Sequence, residues 1–358
     1  MNNAAAILDI MNGFRRSKIL FAAVKLGVFD ALAQHQPRGL AVHELVTALP
    51  NQEFQTSDGL SRLLRSCVSL QLLNVDKQNR YSMTPQSGQF LVSSSRQSLA
   101  GYINHSNDML YPLWQNLESS VQTGSTCWTE SFGYLEGADS KKAFEHIYHG
   151  ADGPKRFMLA MDAVVNNSAP QILDMVRLTW VNGVLDIGGG TGRLSSWICD
   201  AHPQCSRAIV LDLPNIVDLA TEMRAIAPIN EKVEYQKGDF KQAIPKIEND
   251  INAIVLSRIL HDWDDETCLD LLQRIHQTLV AAPIQPAGVI ICDMLFDDNA
   301  KISPVETNLQ DCNMLVQTGG RERSKDEMKQ LLEKSGFQQI SVYQTGTLLD
   351  VVVAFCSI

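Results

Sequence analysis

Val-Leu-Asp-Ile-Gly-Gly-Gly-Thr-Gly, residues 184–192, is the stretch whose reading decides the fold. Its apolar start reads as a buried parallel strand, a strand that needs no polar face because helices cover both sides of such a sheet. Gly188, Gly190 and Gly192 then remove side chains from a tight turn and leave backbone amides open to a ligand's polar groups. Arg193 to Cys199 opens a helix. Strand, glycine turn and helix together make the first unit of a nucleotide-type binding fold.

The turn leaves two ligands open. A dinucleotide fingerprint wants a third small residue for close helix–strand packing. Counted from Gly188 that position is the bulky Arg193, and counted from Gly190 it is the small Ser195. Asp186 precedes the turn; a carboxylate there repels a pyrophosphate and suits an ammonium or sulfonium group. The Asp-x-Gly-x-Gly-x-Gly arrangement resembles the first motif of class I S-adenosylmethionine-dependent methyltransferases.

Around this unit, 358 residues suffice for two domains with a substantial core. An apolar content of 45% and a charged content of 20% belong to a globular protein. No apolar run approaches the ~18 residues of a membrane span, and the N-terminus, which carries Asp9, lacks a signal-peptide pattern. Eight scattered cysteines without a Cys-x-x-Cys pair fit reduced thiols, so a cytoplasmic location is expected. A net charge of −10 disfavours nucleic acid as a partner.

In chain order, Ala4–Gln34 reads as almost continuously helical, with more apolar surface than a small domain buries alone, which predicts a homodimer contact. Two further helices, Leu40–Leu49 and Ser57–Leu72, precede a hairpin at Leu73–Val75 and Arg80–Met83, the outline of a winged helix. DNA binding through Arg62 and Arg65 is disfavoured, because two arginines among leucines do not track a phosphate backbone. Gln97–Val121 reads as a linker helix with aromatic points at Tyr102, Tyr111 and Trp114, and Phe132–Met161 continues helical. The expected division is a winged-helix dimerisation domain, residues 1–98, and a catalytic domain, 99–358, whose first part to 180 is a helical connector.

Beyond Val184, strands alternate with helices, which argues a Rossmann-like α/β sheet. Ala208–Leu213 ends near Asp212, an acid placed for ribose hydroxyls, with Leu213 beside it. Val233–Tyr235 is followed by Gly238, Asp239 and Phe240, an acid and an aromatic ring suited to frame an adenine. Ala253–Ser257 and Gly288–Cys292 follow, and Ile340–Tyr343 and Leu349–Ala354 close the sheet as an antiparallel pair. Ligands in such sheets bind outside the carboxyl ends of the strands. Ser257-Arg258-Ile259-Leu260-His261-Asp262-Trp263 therefore puts His261 where a neutral imidazole could take a phenolic proton. Asp293 or Glu322 could orient that ring. Asp262, Asp264, Asp265 and Glu266 read as the start of a solvated helix in preference to a magnesium site, and His146 with His149 lacks a third zinc ligand.

With these residues the chain resembles the plant-type small-molecule O-methyltransferases, and more closely their animal hydroxyindole branch. The resemblance rests on Asn12-Gly13-Phe14, Leu26-Gly27-Val28-Phe29-Asp30, Asp186–Gly192, Gly238-Asp239-Phe240, Leu260-His261-Asp262-Trp263 and Asn313–Thr318, and it covers nearly the whole length. It implies a dimerising N-terminal domain and a catalytic domain that transfers a methyl group from S-adenosylmethionine to the hydroxyl of a small aromatic acceptor. It further implies that His261 is the base and that no metal takes part. By position it implies cofactor contacts at Tyr148, Gly188, Asp212, Asp239, Phe240 and Arg258, to which the strand-end reading adds Asp186, Gly190, Leu213, Gly238 and Ser257. It places Tyr111, Asn313, Met314 and Gln317 around the acceptor. Asp293 stands where the plant enzymes keep a glutamate, and Val165 where the hydroxyindole enzymes carry a tryptophan. The alternatives are a methyltransferase-fold enzyme using the same cofactor for a non-methylating reaction, a ligand-responsive winged-helix regulator, and a dinucleotide oxidoreductase.

Overall fold

The computed structural model describes residues 3–50, 56–133, 143–150, 152–247, 250–298 and 304–356. They form two compact units, one of residues up to Met109 with Leu159–Ala163, the other of Leu110–Met158 with Val164 onward.

The first unit is mainly helical and closed by a hairpin, β1 (Leu73–Val75) against β2 (Tyr81–Met83) in antiparallel register. The long N-terminal helix expected from periodicity is in fact three: Asn3–Met11, Gly13–Lys25 and Val28–Ala33. The second break has a local cause, since Gly27 adopts a left-handed φ of 77° that a side chain resists. Val28, Phe29 and Leu32 then turn into a core with Leu45, Leu60, Leu64, Leu73 and Tyr81. Each such burial contributes about 1.5–3 kcal/mol. Ile7, Ile10, Met11 and Phe14 stay outside it, Ile10 at 77% exposure.

The second unit is built on a seven-stranded sheet in the order β10-β11-β7-β6-β3-β4-β5. Its strands are β3 (Gly183–Ile187), β4 (Arg207–Asp212), β5 (Val233–Lys237), β6 (Ala253–Ser257), β7 (Gly288–Asp293), β10 (Gln338–Tyr343) and β11 (Asp350–Phe355). β3 to β7 are mutually parallel, and β11 returns antiparallel between β7 and β10. The central strands are buried on both faces, whereas the edge strands β5 and β10 carry exposed positions. The chain runs β3, β4, β5 to one side and then crosses to β6 and β7 on the other. The switch point lies between β3 and β6, where such sheets open a crevice. A minor parallel pair, β8 (Leu295–Phe296) with β9 (Arg323–Ser324), fastens a later loop to the same edge.

The linker expected as one helix over Gln97–Val121 runs unbroken only over Ala100–Trp114, widened to a π-helix at Ser106–Leu110, and after a turn at Gln115–Asn116 it resumes at Leu117–Thr123. Helix continues at Ala143–Ile147 and Gly153–Met175; residues 134–142 and 151 of the stretch expected to be helical lie outside the described residues.

Gly192 caps the Arg193–Ala201 helix at φ 75°, and a Cβ there would meet Val233 Cγ1 at 2.9 Å and Val210 Cγ2 at 3.0 Å. Left-handed strain and overpacking act together, so Gly192→Ala is expected to destabilise the fold by about 2–4 kcal/mol, read as a lowered denaturant midpoint at unchanged m.

Candidate active site

At the carboxyl end of β3 the glycine turn doubles back, with Gly188 N–H donating to Leu211 O at 2.8 Å. Asp212, ending β4, accepts Gly190 N–H at 2.9 Å and Leu213 N–H at 2.7 Å, so its carboxylate is held against the turn. Burial raises its pKa to about 6 against those two bonds. A Cβ on Gly190 would meet nothing within 4 Å, so open space lies beside that residue. Gly188 is needed for a different reason, because its φ of 69° is left-handed and an added Cβ would lie 2.6 Å from Ile259 Cδ1.

Asp186 does not present its carboxylate to that space, as its charge argument required. It lies beneath the turn at 1% exposure, bonded by Ser195 Oγ at 2.7 Å, and a Cβ on Gly189 would collide with it. Burial pushes its pKa up to about 7, with the Asp212 charge adding.

β5 leads to Gly238, whose N–H donates to Asp212 O at 2.9 Å. Asp239 accepts from Lys241 N and Gln242 Nε2, and Phe240 O accepts from Arg274 at 2.8 Å. Lys241 Nζ lies 3.6 Å from the centre of the Trp263 ring. Tyr148 packs on Phe144 and Phe157, with Leu213 in the same cluster. Burial drives its phenol pKa up, and the charges of Asp212 and Asp262 act in the same direction. Tyr148, Gly188, Gly190, Asp212, Leu213, Gly238 and Phe240 are thus linked to one another near the carboxyl ends of β3, β4 and β5.

Ser257 ends β6, and Arg258 follows at a left-handed φ of 57°. Strain of that kind in a non-glycine residue costs about 1–2 kcal/mol and persists where surroundings enforce it; here Arg258 N–H is held by Cys292 O at 2.9 Å. The Arg258 charge acts on His261, Asp262, Asp293 and Glu322.

His261 sits in a 3-10 turn, Leu260–Asp262, at 3% exposure. Its Nδ1 is 2.8 Å from Glu322 Oε1, and its Nε2 is 3.9 Å from Asp262 Oδ1. Between the two acids expected to orient the ring, the hydrogen bond belongs to Glu322. Asp293, buried nearby, has no hydrogen-bond partner at either oxygen among the described residues. Burial lowers the His261 pKa, opposed by Asp262 and Asp293 and assisted by Arg258 and Arg323. Burial raises Glu322 to about 7 and Asp262 to about 6. A neutral ring whose Nδ1–H donates to Glu322 leaves its Nε2 lone pair free.

Asp262 therefore differs from its expected place at the start of a solvated helix. That helix begins later, at Asp265, capped by Asp264 onto Thr267 N–H. Among the described residues no group of three or more His, Cys, Asp and Glu is gathered to hold a metal ion.

The residues expected around the acceptor fall on or near the Val305–Gln317 helix. Trp114 Nε1 donates to Asn313 Oδ1 at 3.2 Å, and Asn313 Nδ2 donates to Gln317 Oε1 at 3.1 Å. Trp128 Nε1 holds Gln317 O at 2.8 Å, Met314 is buried, and Tyr111 opens the adjacent Tyr111–Trp114 helix half-exposed. Val165 is buried in the Gly153–Met175 helix. Sequence reasoning missed Arg323 and Asp311, which accepts Glu322 N–H at 2.9 Å. The turn Gly319–Arg323, with two glycines and three charges, was a signal for Arg323, whereas Asp311 lies in the Val305–Gln317 helix with no such mark.

Residues 114–338 match the O-methyltransferase domain and residues 8–93 the O-methyltransferase dimerisation domain. The chain belongs to the O-methyltransferase family. It is 32% identical to acetylserotonin O-methyltransferase of Bos taurus, over 97% of this chain and 96% of that one. It is 26% identical to (RS)-norcoclaurine 6-O-methyltransferase of Coptis japonica, over 99% and 97% respectively. The crystal structure of human N-acetylserotonin methyltransferase in complex with SAM superposes at a TM-score of 0.89, with 30% identity over 100% of this chain and 99% of that one. The dimerisation domain of this methyltransferase supports a homodimer, and no helix among its described residues is long and apolar enough to cross a membrane.

The buried Asp186 has a consequence for stability. Its folded pKa lies above the ordinary 3.8, so its contribution is fully present below pH 3.8 and is lost as pH rises through about 7. Asp186→Asn is expected to remove that loss. In thermal unfolding from pH 4 to 8, wild type should fall on the order of 2–4 kcal/mol further than the variant.

Proposed function

We propose that this methyltransferase transfers a methyl group to the hydroxyl of a small aromatic acceptor, a phenol or a hydroxyindole of the N-acetylserotonin type, with His261 as general base. The observation that carries the reading is the 2.8 Å bond between His261 Nδ1 and the buried Glu322, at the carboxyl end of β6. S-adenosylmethionine is the methyl donor; it supplies an electrophilic methyl on a sulfonium, which departs as the neutral thioether S-adenosylhomocysteine. The open space beside Gly190 and the oriented Asp212 carboxylate fit its ribose end. Phe240, Asp239 and Tyr148 fit the adenine side, and the Arg258 guanidinium fits the amino-acid carboxylate.

His261 takes the acceptor proton at Nε2. Glu322 fixes the tautomer and balances the imidazolium as it forms, a role filled by an acid behind histidine in other proton transfers. Removing that proton turns a weak nucleophile, with a pKa near 10, into an oxyanion. In this reading the imidazole meets the whole need for a base, so no metal ion is required. Asp293 contributes charge without a hydrogen bond to the ring, and Trp114 aligns Asn313 and Gln317 on the acceptor side.

His261→Ala is expected to lower turnover by about 10²–10⁴-fold while the Kd for S-adenosylmethionine changes little. Release of S-adenosylhomocysteine with N-acetylserotonin, caffeic acid and a flavonoid as acceptors measures it; wild-type turnover in the variant would overturn the assignment. The rate should fall on the acid side as the His261–Glu322 pair takes up protons. Because burial lowers the His261 pKa, the ring's own limb lies below pH 6.5.

The apolar face of Ile7, Ile10 and Phe14 fits a second copy of the chain, since such a patch is costly to leave in water. Ile10→Glu should shift the sedimentation profile from dimer towards monomer.

A further inference from the structure

Arg323 belongs to no cofactor or acceptor set, yet it is among the largest fully buried side chains, at 1% exposure. Burying a guanidinium is costly unless its donors are met. Nη1 donates to Leu260 O at 2.7 Å, Nη2 to Trp263 O at 2.8 Å and Nε to Asp265 Oδ1 at 2.9 Å. These partners bracket the three-residue turn that carries His261. The turn is poorly held by itself: Asp262 N–H reaches Ile259 O and Trp263 N–H reaches Leu260 O only at 3.2 Å each.

The neighbours of Arg323 complete the grip. Arg321 N–H donates to His261 O at 2.9 Å, and Glu322 holds the ring. Gly320 allows the approach, since a Cβ on it would lie 2.0 Å from His261 O. The segment is itself anchored, by Leu295 opposite Arg323 in the β8–β9 pair and by Arg321 on Asp265 and Glu327.

We propose that Arg323 is a positioning residue for the base, clamping the His261 turn from both sides so that the ring presents Nε2 at a fixed place. The inference rests on His261 being the base. A planar fork that meets two carbonyls and a carboxylate at once is a task lysine cannot repeat. The same cation adds to the field that keeps the ring neutral. The charged groups acting on the ring are Asp262 and Asp293, which favour its protonation, and Arg258 and Arg323, which oppose it, with Glu322 bonded at Nδ1.

The test compares Arg323→Lys, which keeps the charge, with Arg323→Met, which removes it. Both are expected to lower kcat by about 10- to 100-fold, the cost of a base displaced by about 1 Å, with the Kd for S-adenosylhomocysteine within about threefold by calorimetry. The acid limb of kcat should stay in place in Arg323→Lys and move to higher pH in Arg323→Met, a shift that a purely structural loss would not produce. Should Arg323→Met not fold, Asp265→Ala decides, because it leaves Nε without its acceptor while removing only a half-exposed carboxylate; a kcat several-fold below wild type is expected. Wild-type kcat in Arg323→Lys or Asp265→Ala, or an unmoved acid limb in a folded Arg323→Met, would overturn the proposal. His261→Ala separates the two readings: full turnover there removes the base itself, whereas its loss beside unchanged Arg323 variants removes only the clamp.

Discussion

The constraint on which this site depends is the cost of burying charge around the His261 imidazole. Asp262, Asp293 and Glu322 surround His261, and all four are nearly inaccessible to water. Three carboxylates unopposed would draw a proton onto the ring. Burial raises each acid towards its neutral form, and Arg258 and Arg323 offset what negative charge remains. Neither cation is optional in that balance, and the cations arrive by different routes. Arg258 follows directly from β6 in a strained conformation, whereas Arg323 returns from far along the chain on β9.

The sheet explains why those routes converge. Parallel strands all deliver their carboxyl ends to one edge. Asp212, Gly238, Ser257 and Asp293 therefore gather there although no two of them are close in sequence. The crossing from β5 to β6 puts the switch point beside β3, with the glycine turn following β3 and the His261 turn following β6. The two turns are thus set by one framework, with the Asp212 carboxylate pinned to the first and Arg258 pinned to β7.

What could be read from sequence followed from how local its cause was. β6, Ala253–Ser257, was legible to the residue because a strand buried on both faces is a bare apolar run. β11 of the antiparallel closing pair was legible for the same reason. The helix breaks were not: periodicity carries across Gly27, whose left-handed φ interrupts the helix, and across the turn at Gln115–Asn116. At the site, His261 was legible from its place after a strand. The acid that holds it was not, since Asp293 and Glu322 lie at comparable strand or turn positions and only side-chain reach separates them. Asp186 misled because charge was weighed without burial: a strand-end acid can point under its turn as readily as out of it. Asp262 misled in the same way, as one acid of a run whose later members alone are solvated.

Arg323 shows the limit most clearly. In sequence it is one charge among Arg321, Glu322 and Arg323, a pattern that a solvated turn would share. Its three bonds are to two backbone carbonyls and to Asp265, groups some sixty residues away in sequence. A backbone carbonyl leaves no trace in residue identity, so a side chain whose work is to hold carbonyls has no partner pattern to read. The same holds for Gly320, whose necessity comes from the His261 carbonyl lying where its Cβ would be. The placement of the His261 ring is therefore set by a loop that grips its turn chiefly through backbone carbonyls. Two members of this fold could share every cofactor-side residue and still differ in how firmly that ring is held.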